Sequence, residues 1–250
     1  KDRGNGQPTS MFGTYINKGE FLVYPFYEYY YDKNTEYAPN ELGGQSDTDY
    51  RGKFTGHEAL IFLGYGITDR LAIEFEAAYM SARLRRSSED PEGPDEVIEE
   101  SGIGDIESQI RWRWNKETIK TPEFFSYFET VFPFQEDKLL IGTQAWEFKL
   151  GSGMVKGFTW GTMTFRLAAE YDAGENVIEM GEYAIEYLKR VSPLFRFYLG
   201  VEGSQDEVEF ITDLQFHFND TVMLRVNNSF GITSKATDYA PEIGVLFRFR

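Results

Sequence analysis

Apolar and polar residues alternate with a period of two along most of this chain, the spacing at which successive side chains leave opposite faces of a β-strand. Within residues 207–218, Val208, Phe210, Thr212, Leu214, Phe216 and Phe218 share one face, opposite Glu207, Glu209, Ile211, Asp213, Gln215 and His217. Residues 71–79 set Leu71, Ile73, Phe75, Ala77 and Tyr79 against Ala72, Glu74, Glu76 and Ala78. At the end of the chain, Ile243, Val245, Phe247 and Phe249 oppose Glu242, Gly244, Leu246 and Arg248. Helical periodicity is hard to find. The alternation predicts about twelve strands, near 20–31, 56–66, 70–83, 104–114, 122–134, 144–155, 158–171, 181–190, 194–203, 207–218, 221–231 and 241–249. Strands of roughly 9–13 residues exceed the ~5–6 usual in globular sheets and suit a tilted crossing of a bilayer.

The connections alternate in length. Residues 67–69, 116–121, 156–157, 191–193 and 219–220 are tight turns, whereas 32–55, 84–101, 135–143, 172–180 and 233–240 are longer and polar. The connection at 204–206 is a short exception. Short turns at one end and long loops at the other, on an even number of strands, predict an all-β fold: a single antiparallel up-and-down transmembrane β-barrel. Residues 20–250 would form it, with both termini at the short-turn, periplasmic end of a Gram-negative-type outer membrane. Residues 1–19 would form a polar N-terminal segment, either a lumen plug or a periplasmic tail.

A soluble lipocalin-like barrel would alternate in the same way, with its apolar face inward. Three features favour the membrane. The polar face carries charges in mid-strand, among them Arg166, Glu186, Arg196 and Arg225. The apolar face carries rings near strand ends, such as Tyr65, Tyr79, Trp112, Trp114, Phe230, Phe247 and Phe249, as interfacial girdles require. A closed soluble barrel of about twelve strands would also be too wide to fill, since ~8 strands already enclose a filled or ligand-sized interior.

Composition narrows the function. Lys plus Arg number 25 against 41 Asp plus Glu, a formal net charge of −16, which argues against a nucleic-acid partner. Cysteine is absent and histidine occurs twice, leaving no thiolate chemistry and little room for a histidine metal centre. No motif for a cofactor is present, and the paired glycines at 64–66, 102–104 and 151–153 precede strands rather than the helix a phosphate loop needs. Catalysis by a lipid hydrolase or acyltransferase is a remote alternative, because neither His57 nor His217 has a serine at a recognisable motif spacing.

The chemistry that remains is that of a wet, charged interior. The residues expected to line a pore are Glu74, Glu76, Glu107, Arg111, Arg113, Glu147, Lys149, Arg166, Glu186, Arg196, Glu209, Asp213 and Arg225. Glu28, Glu58, Glu129, Glu170, Glu182, Glu202, Glu207, Glu242 and Arg248 fall on the same face. Its acidic excess would concentrate cations and disfavour anions. The opposing reading is a salt-bridged interior that closes the lumen. Residues 87–101, with seven acids, read as a solvated extracellular loop, and a role in recruiting divalent cations to lipopolysaccharide phosphates is the sharper alternative.

Three short motifs suggest a family. Asn17-Lys18-Gly19-Glu20 opens the first strand, Tyr65-Gly66-Ile67-Thr68-Asp69-Arg70-Leu71 spans the first tight turn, and Gly102-Ile103-Gly104-Asp105-Ile106 enters the fourth strand. In these the chain resembles the outer-membrane porin family linked to meta-pathway phenol degradation, a family of twelve-stranded-type barrels. The tail departs from the barrel habit of a terminal aromatic, since Phe249 is penultimate and Arg250 is last. The resemblance implies an outer-membrane channel for small solutes. Taken together, the reading is a porin for passive diffusion of small solutes through a narrow, acidic, cation-preferring lumen. It would contact lipid bilayer and lipopolysaccharide, with no cofactor, no metal and no enzymatic step. The alternative is a non-conducting barrel that serves as scaffold or partner subunit of an envelope complex.

Overall fold

The computed structural model describes residues 6–9, 14–135, 137–143, 145–174, 176–204 and 207–250. Twelve antiparallel strands close into one barrel. In chain order they are β1 (Phe21–Tyr37), β2 (Tyr50–Gly66), β3 (Leu71–Arg85), β4 (Val97–Asn115), β5 (Glu123–Phe132), β6 (Glu147–Gly157), β7 (Thr162–Asp172), β8 (Val177–Arg190), β9 (Phe195–Ser204), β10 (Glu207–His217), β11 (Val222–Gly231) and β12 (Tyr239–Phe249). Each pairs with its sequence neighbours, and β12 closes the ring on β1 through Tyr239–Tyr31, Ile243–Tyr27 and Phe249–Phe21. A closed ring has no free edge, so the wall's backbone groups pair within it, the condition hydrocarbon imposes.

The alternation read from sequence sets the two faces. Phe210, Leu214 and Phe216 stand on the outer wall, whereas Asp213 and Gln215, one residue away, are buried inside. Ile73, Leu150, Leu167, Ile185 and Ile243 continue the outer apolar band around the barrel. Rings border the band at both ends. At the short-turn end Trp112 meets Trp114 (6.3 Å between centroids), Phe158 stacks on Trp160 (4.7 Å) and Phe21 meets Phe249 (6.4 Å). At the long-loop end Tyr31 stacks on Tyr239 (5.1 Å) and Phe132 meets Trp146 (4.9 Å). Such girdles sit where an amphipathic ring prefers the bilayer interface.

Strands β1 to β4 run to 17, 17, 15 and 19 residues, beyond the expected boundaries. The added stretches carry no hydrophobic alternation, which is why the pattern did not reveal them. The backbone ladders carry on through them, with exposed cross-strand charge pairs on the outer face. Arg51 of β2 is paired with Glu36 of β1, and Arg83 of β3 with Glu99 of β4 at 3.2 Å. On the far side the wall is lower, and the connection expected over 172–180 shrinks to residues 173–176 because β8 already starts at Val177. Residues 175, 205 and 206 lie outside the described set, and with them most of the short 204–206 connection.

The acidic segment 87–101 is not a free loop. Residues 97–101 belong to β4, and Asp90 is fully buried. Arg86 meets its carboxylate at 2.6 Å and the Tyr37 hydroxyl donates to it at 2.9 Å. Burial pushes the Asp90 carboxyl up, but the Glu92 N–H, Arg86 and Tyr37 outweigh that and hold it below the usual carboxylate range. Glu92 accepts the backbone N–H groups of Gln45 and Ser46 at 2.9 and 2.8 Å, tying this loop to residues 38–49. Asp90 and Glu92 thus serve as intramolecular ties.

Candidate functional site

Every residue expected to line a pore faces the barrel interior, because each alternates with an outward apolar neighbour. The interior itself divides into two storeys. Glu76, Glu107, Lys149, Arg166, Glu209 and Arg225 come together around a cavity of about 350 Å³. Glu28, Glu129, Glu182, Glu202 and Glu242 join them, so eight carboxylates face three cations. Glu74, Arg111, Arg113, Glu186, Arg196 and Asp213 lie outside its lining, in the half nearer the short turns, and Glu147 stands at the opposite rim. Tyr198, Ile211, Asn227 and Ser229 complete the lining and were not singled out from sequence. Their inward parity was the available signal.

The cations of the cavity are each shared among several acids. Arg166 reaches Glu186 at 2.8 Å and Glu202 at 3.1 Å, and also pairs with Glu182. Arg225 reaches Asp213 at 3.0 Å and Glu242 at 3.4 Å, while Lys149 lies 2.9 Å from Glu129 and 3.8 Å from Glu170. Planar guanidinium groups suit this work, since one fork can serve more than one carboxylate. Among the described residues, Glu28, Glu76, Glu107 and Glu209 have no ion-pair partner. The acidic excess is therefore concentrated on one open space rather than dispersed in a neutral network. A second cavity of about 210 Å³ shares Glu76 and Glu107 with the first, and a third of about 300 Å³ shares Glu182, Glu202 and Glu209.

One loop narrows the mouth. Within residues 133–146, the N–H groups of Leu139 and Leu140 donate to Glu100 at 2.9 and 2.8 Å, and Ile141 is fully buried. Gly142 and Thr143 of this loop line the second cavity beside Glu107.

The storey near the short turns is close-packed, with apolar and charged side chains buried side by side, where the sequence reading expected an open wet interior. Leu22, Tyr24 and Phe26 of β1, Phe62 of β2, Ala72, Met223 and Leu246 form an apolar cluster inside the barrel. The N-terminal segment completes it. Gln7–Pro8 pairs antiparallel with Tyr15–Ile16 as a two-stranded ribbon, and Ile16 is fully buried in the cluster. Residues 1–5 and 10–13 of the segment lie outside the described set. Arg111 donates to the Pro8 carbonyl at 3.0 Å while its guanidinium stands 4.7 Å over the Phe125 ring and 5.3 Å over Tyr127. Arg113 donates to the carbonyls of Gly6 and Asp69. Two residues expected to line water instead hold this ribbon. Gly66 is required where the segment enters, because a Cβ there would collide with the Asn17 carbonyl. Beside the ribbon, between Pro8, Phe125, Thr164 and Glu186, only about 10 Å³ of cavity remains. That is about one water-sized sphere.

Of the two histidines, His57 faces outward and shares a hydrogen bond with the Tyr27 hydroxyl at 2.6 Å. His217 faces inward near the short turns, and its Nε2 is buried without a hydrogen-bond partner among the described residues.

Several solved outer-membrane barrels share this architecture. An outer membrane channel from Pseudomonas putida F1 shares 14% identity over 94% of this chain and 97% of its own, with a TM-score of 0.66. The translocator domain of the autotransporter NalP from Neisseria meningitidis shares 10% identity over 93% and 89%, with a TM-score of 0.55. The KdgM porin, solved in complex with disordered oligogalacturonate, shares 6% over 92% and 99%, also at 0.55. No family model and no curated protein matches the chain. At these identities the likeness establishes the fold, a closed twelve-stranded outer-membrane-type barrel. The same fold carries a channel, a translocator and a porin, so the task must be argued from the interior.

Proposed function

We propose that this barrel is an outer-membrane channel for passive diffusion of small solutes, with an acidic interior that prefers cations. The observation that carries the proposal is the 350 Å³ cavity lined by eight carboxylates and three cations. In a low-dielectric wall such an excess focuses a negative field, which raises the local concentration of cations and repels anions. The short turns and both termini would face the periplasm, with the tall wall and long loops outside. The N-terminal ribbon then acts as a plug on the periplasmic side, and solute passage requires its displacement. The solutes are small polar or aromatic molecules, and the charge of the cavity favours neutral or cationic ones.

A second reading, a non-conducting scaffold, draws on the close packing around the ribbon. Uptake into liposomes separates the two. The channel reading expects a small organic cation to enter faster than a neutral molecule of equal size, and an anion slowest. A folded, inserted barrel that admits none of the three, with or without residues 1–16, is a scaffold.

A further inference from the structure

Three cations gather on the outer wall, away from the acidic interior. Lys53 and Thr55 of β2 and Arg83 and Arg85 of β3 line a cleft of about 300 Å³. Lys53 lies directly across from Arg85, and Thr55 from Arg83. Like charges placed opposite one another in a sheet cost stability unless something between them compensates. Among the described residues neither Lys53 nor Arg85 has an ion-pair partner, and Arg83 has one, Glu99 at 3.2 Å. The Lys53 ammonium is steadied 5.2 Å over the Tyr31 ring, which keeps it at the wall. In a chain with a net charge of −16, this is a local reversal of sign.

The depth of the cleft identifies its occupant. Tyr79 and His57 lie four residues below Arg83 and Lys53 on the same outward faces, within the upper ring girdle. Four residues at ~3.4 Å each, on strands tilted by ~40°, place the cations about 10 Å above those rings. If the rings mark the interface, the cations stand at the level of outer-leaflet head groups. Two arginine forks and an ammonium converging there match a phosphate monoester, and the Thr55 hydroxyl adds a neutral donor. We propose that Lys53, Thr55, Arg83 and Arg85 form a binding site for the phosphorylated sugar head group of an outer-leaflet glycolipid. The proposal rests on the membrane orientation above and names the surface through which the barrel grips its lipid.

The test is native mass spectrometry of the detergent-solubilised full chain. The probes are bisphosphorylated lipid A, the same lipid without phosphates, and inorganic phosphate. The triple variant K53Q/R83Q/R85Q is compared with K18Q/K116Q/K120Q, which removes equal charge from exposed positions at the opposite end. We expect one retained bisphosphorylated lipid per barrel, at least tenfold weaker retention by the cleft variant, and near-normal retention by the control. The dephosphorylated lipid should not be retained, and inorganic phosphate should compete only in large excess. Equal losses in both triple variants, or undiminished retention by the cleft variant, would overturn the site. Inorganic phosphate that binds as tightly as the lipid would overturn the lipid assignment in favour of a free-anion site. Insertion of the wild-type chain into liposomes is scored separately, so that failure of the membrane reading is told apart from failure of the site.

Discussion

Replacing Glu76, Glu107 and Glu209 by Gln removes three interior carboxylates that have no ion-pair partner among the described residues, and it leaves the Arg166, Arg225 and Lys149 networks in place. A sphere of the main cavity's volume, about 350 Å³, has a radius of about 4 Å, so a wall carboxylate stands about 5 Å from an ion at its centre. At that distance in water one charge contributes about 0.8 kcal/mol. Screening at 0.1 M salt, with a Debye length of ~10 Å, reduces this to about 0.5 kcal/mol. Three carboxylates together are worth about 1.5 kcal/mol, roughly a tenfold change in cation accumulation. At 1 M salt the Debye length of ~3 Å leaves under about 0.2 kcal/mol each, and the change should shrink to about twofold. The assay is the reversal potential across a planar bilayer under a salt gradient, recorded on the form lacking residues 1–16. A reversal potential unmoved by the triple substitution would mean that these carboxylates do not set the cation preference. So would a shift of equal size at both salt concentrations, since a screened Coulomb effect cannot behave that way.

Arg111→Met keeps the packing against Phe125 but loses the bond to the Pro8 carbonyl, a charged hydrogen bond worth about 1.5–3 kcal/mol. Open probability in single-channel records should rise at least tenfold in the full chain and stay unchanged when the ribbon is already deleted; an equal rise in both backgrounds contradicts a role in plugging. Phe62→Ala opens a hole in the fully buried interior cluster and should cost about 3–5 kcal/mol in urea unfolding from lipid vesicles, whereas a loss under about 1 kcal/mol means that the cluster is loosely packed. Because Asp90 is held below the usual carboxylate range, its contribution is complete above the unfolded value near 3.9 and is lost as pH falls through the folded value. Hydrogen-exchange protection of the loop amides should therefore drop in acid, and Asp90→Asn should produce that drop at neutral pH. Protection factors that match at pH 3 and pH 7 count against the tie.

The barrel was legible because one rule, apolar out and polar in, repeats on most of the membrane-crossing segments. Val208 to Phe218 states it plainly, and the structure places Phe210 outside and Asp213 inside accordingly. What escaped the pattern obeys other physics. The upper reaches of β1 to β4 carry charged pairs such as Arg83–Glu99 on their outer face, which leaves no outward hydrophobic periodicity there. Leu60 and Phe62 share a face with Glu58, against the rule; the structure turns all three inward, Phe62 into the apolar cluster and Leu60 against its edge beside the second cavity. The grip of Arg111 and Arg113 on Pro8 and Gly6 joins residues a hundred positions apart, and local spacing carries no trace of it.

Side-by-side planar-bilayer recording of residues 1–250 and residues 17–250 tests the plugged acidic channel most directly. The full chain should show rare, brief openings, and the shortened one long-lived, cation-selective openings. Indistinguishable traces would show that the ribbon does not close the conduit, and silence from both folded forms would show that there is none.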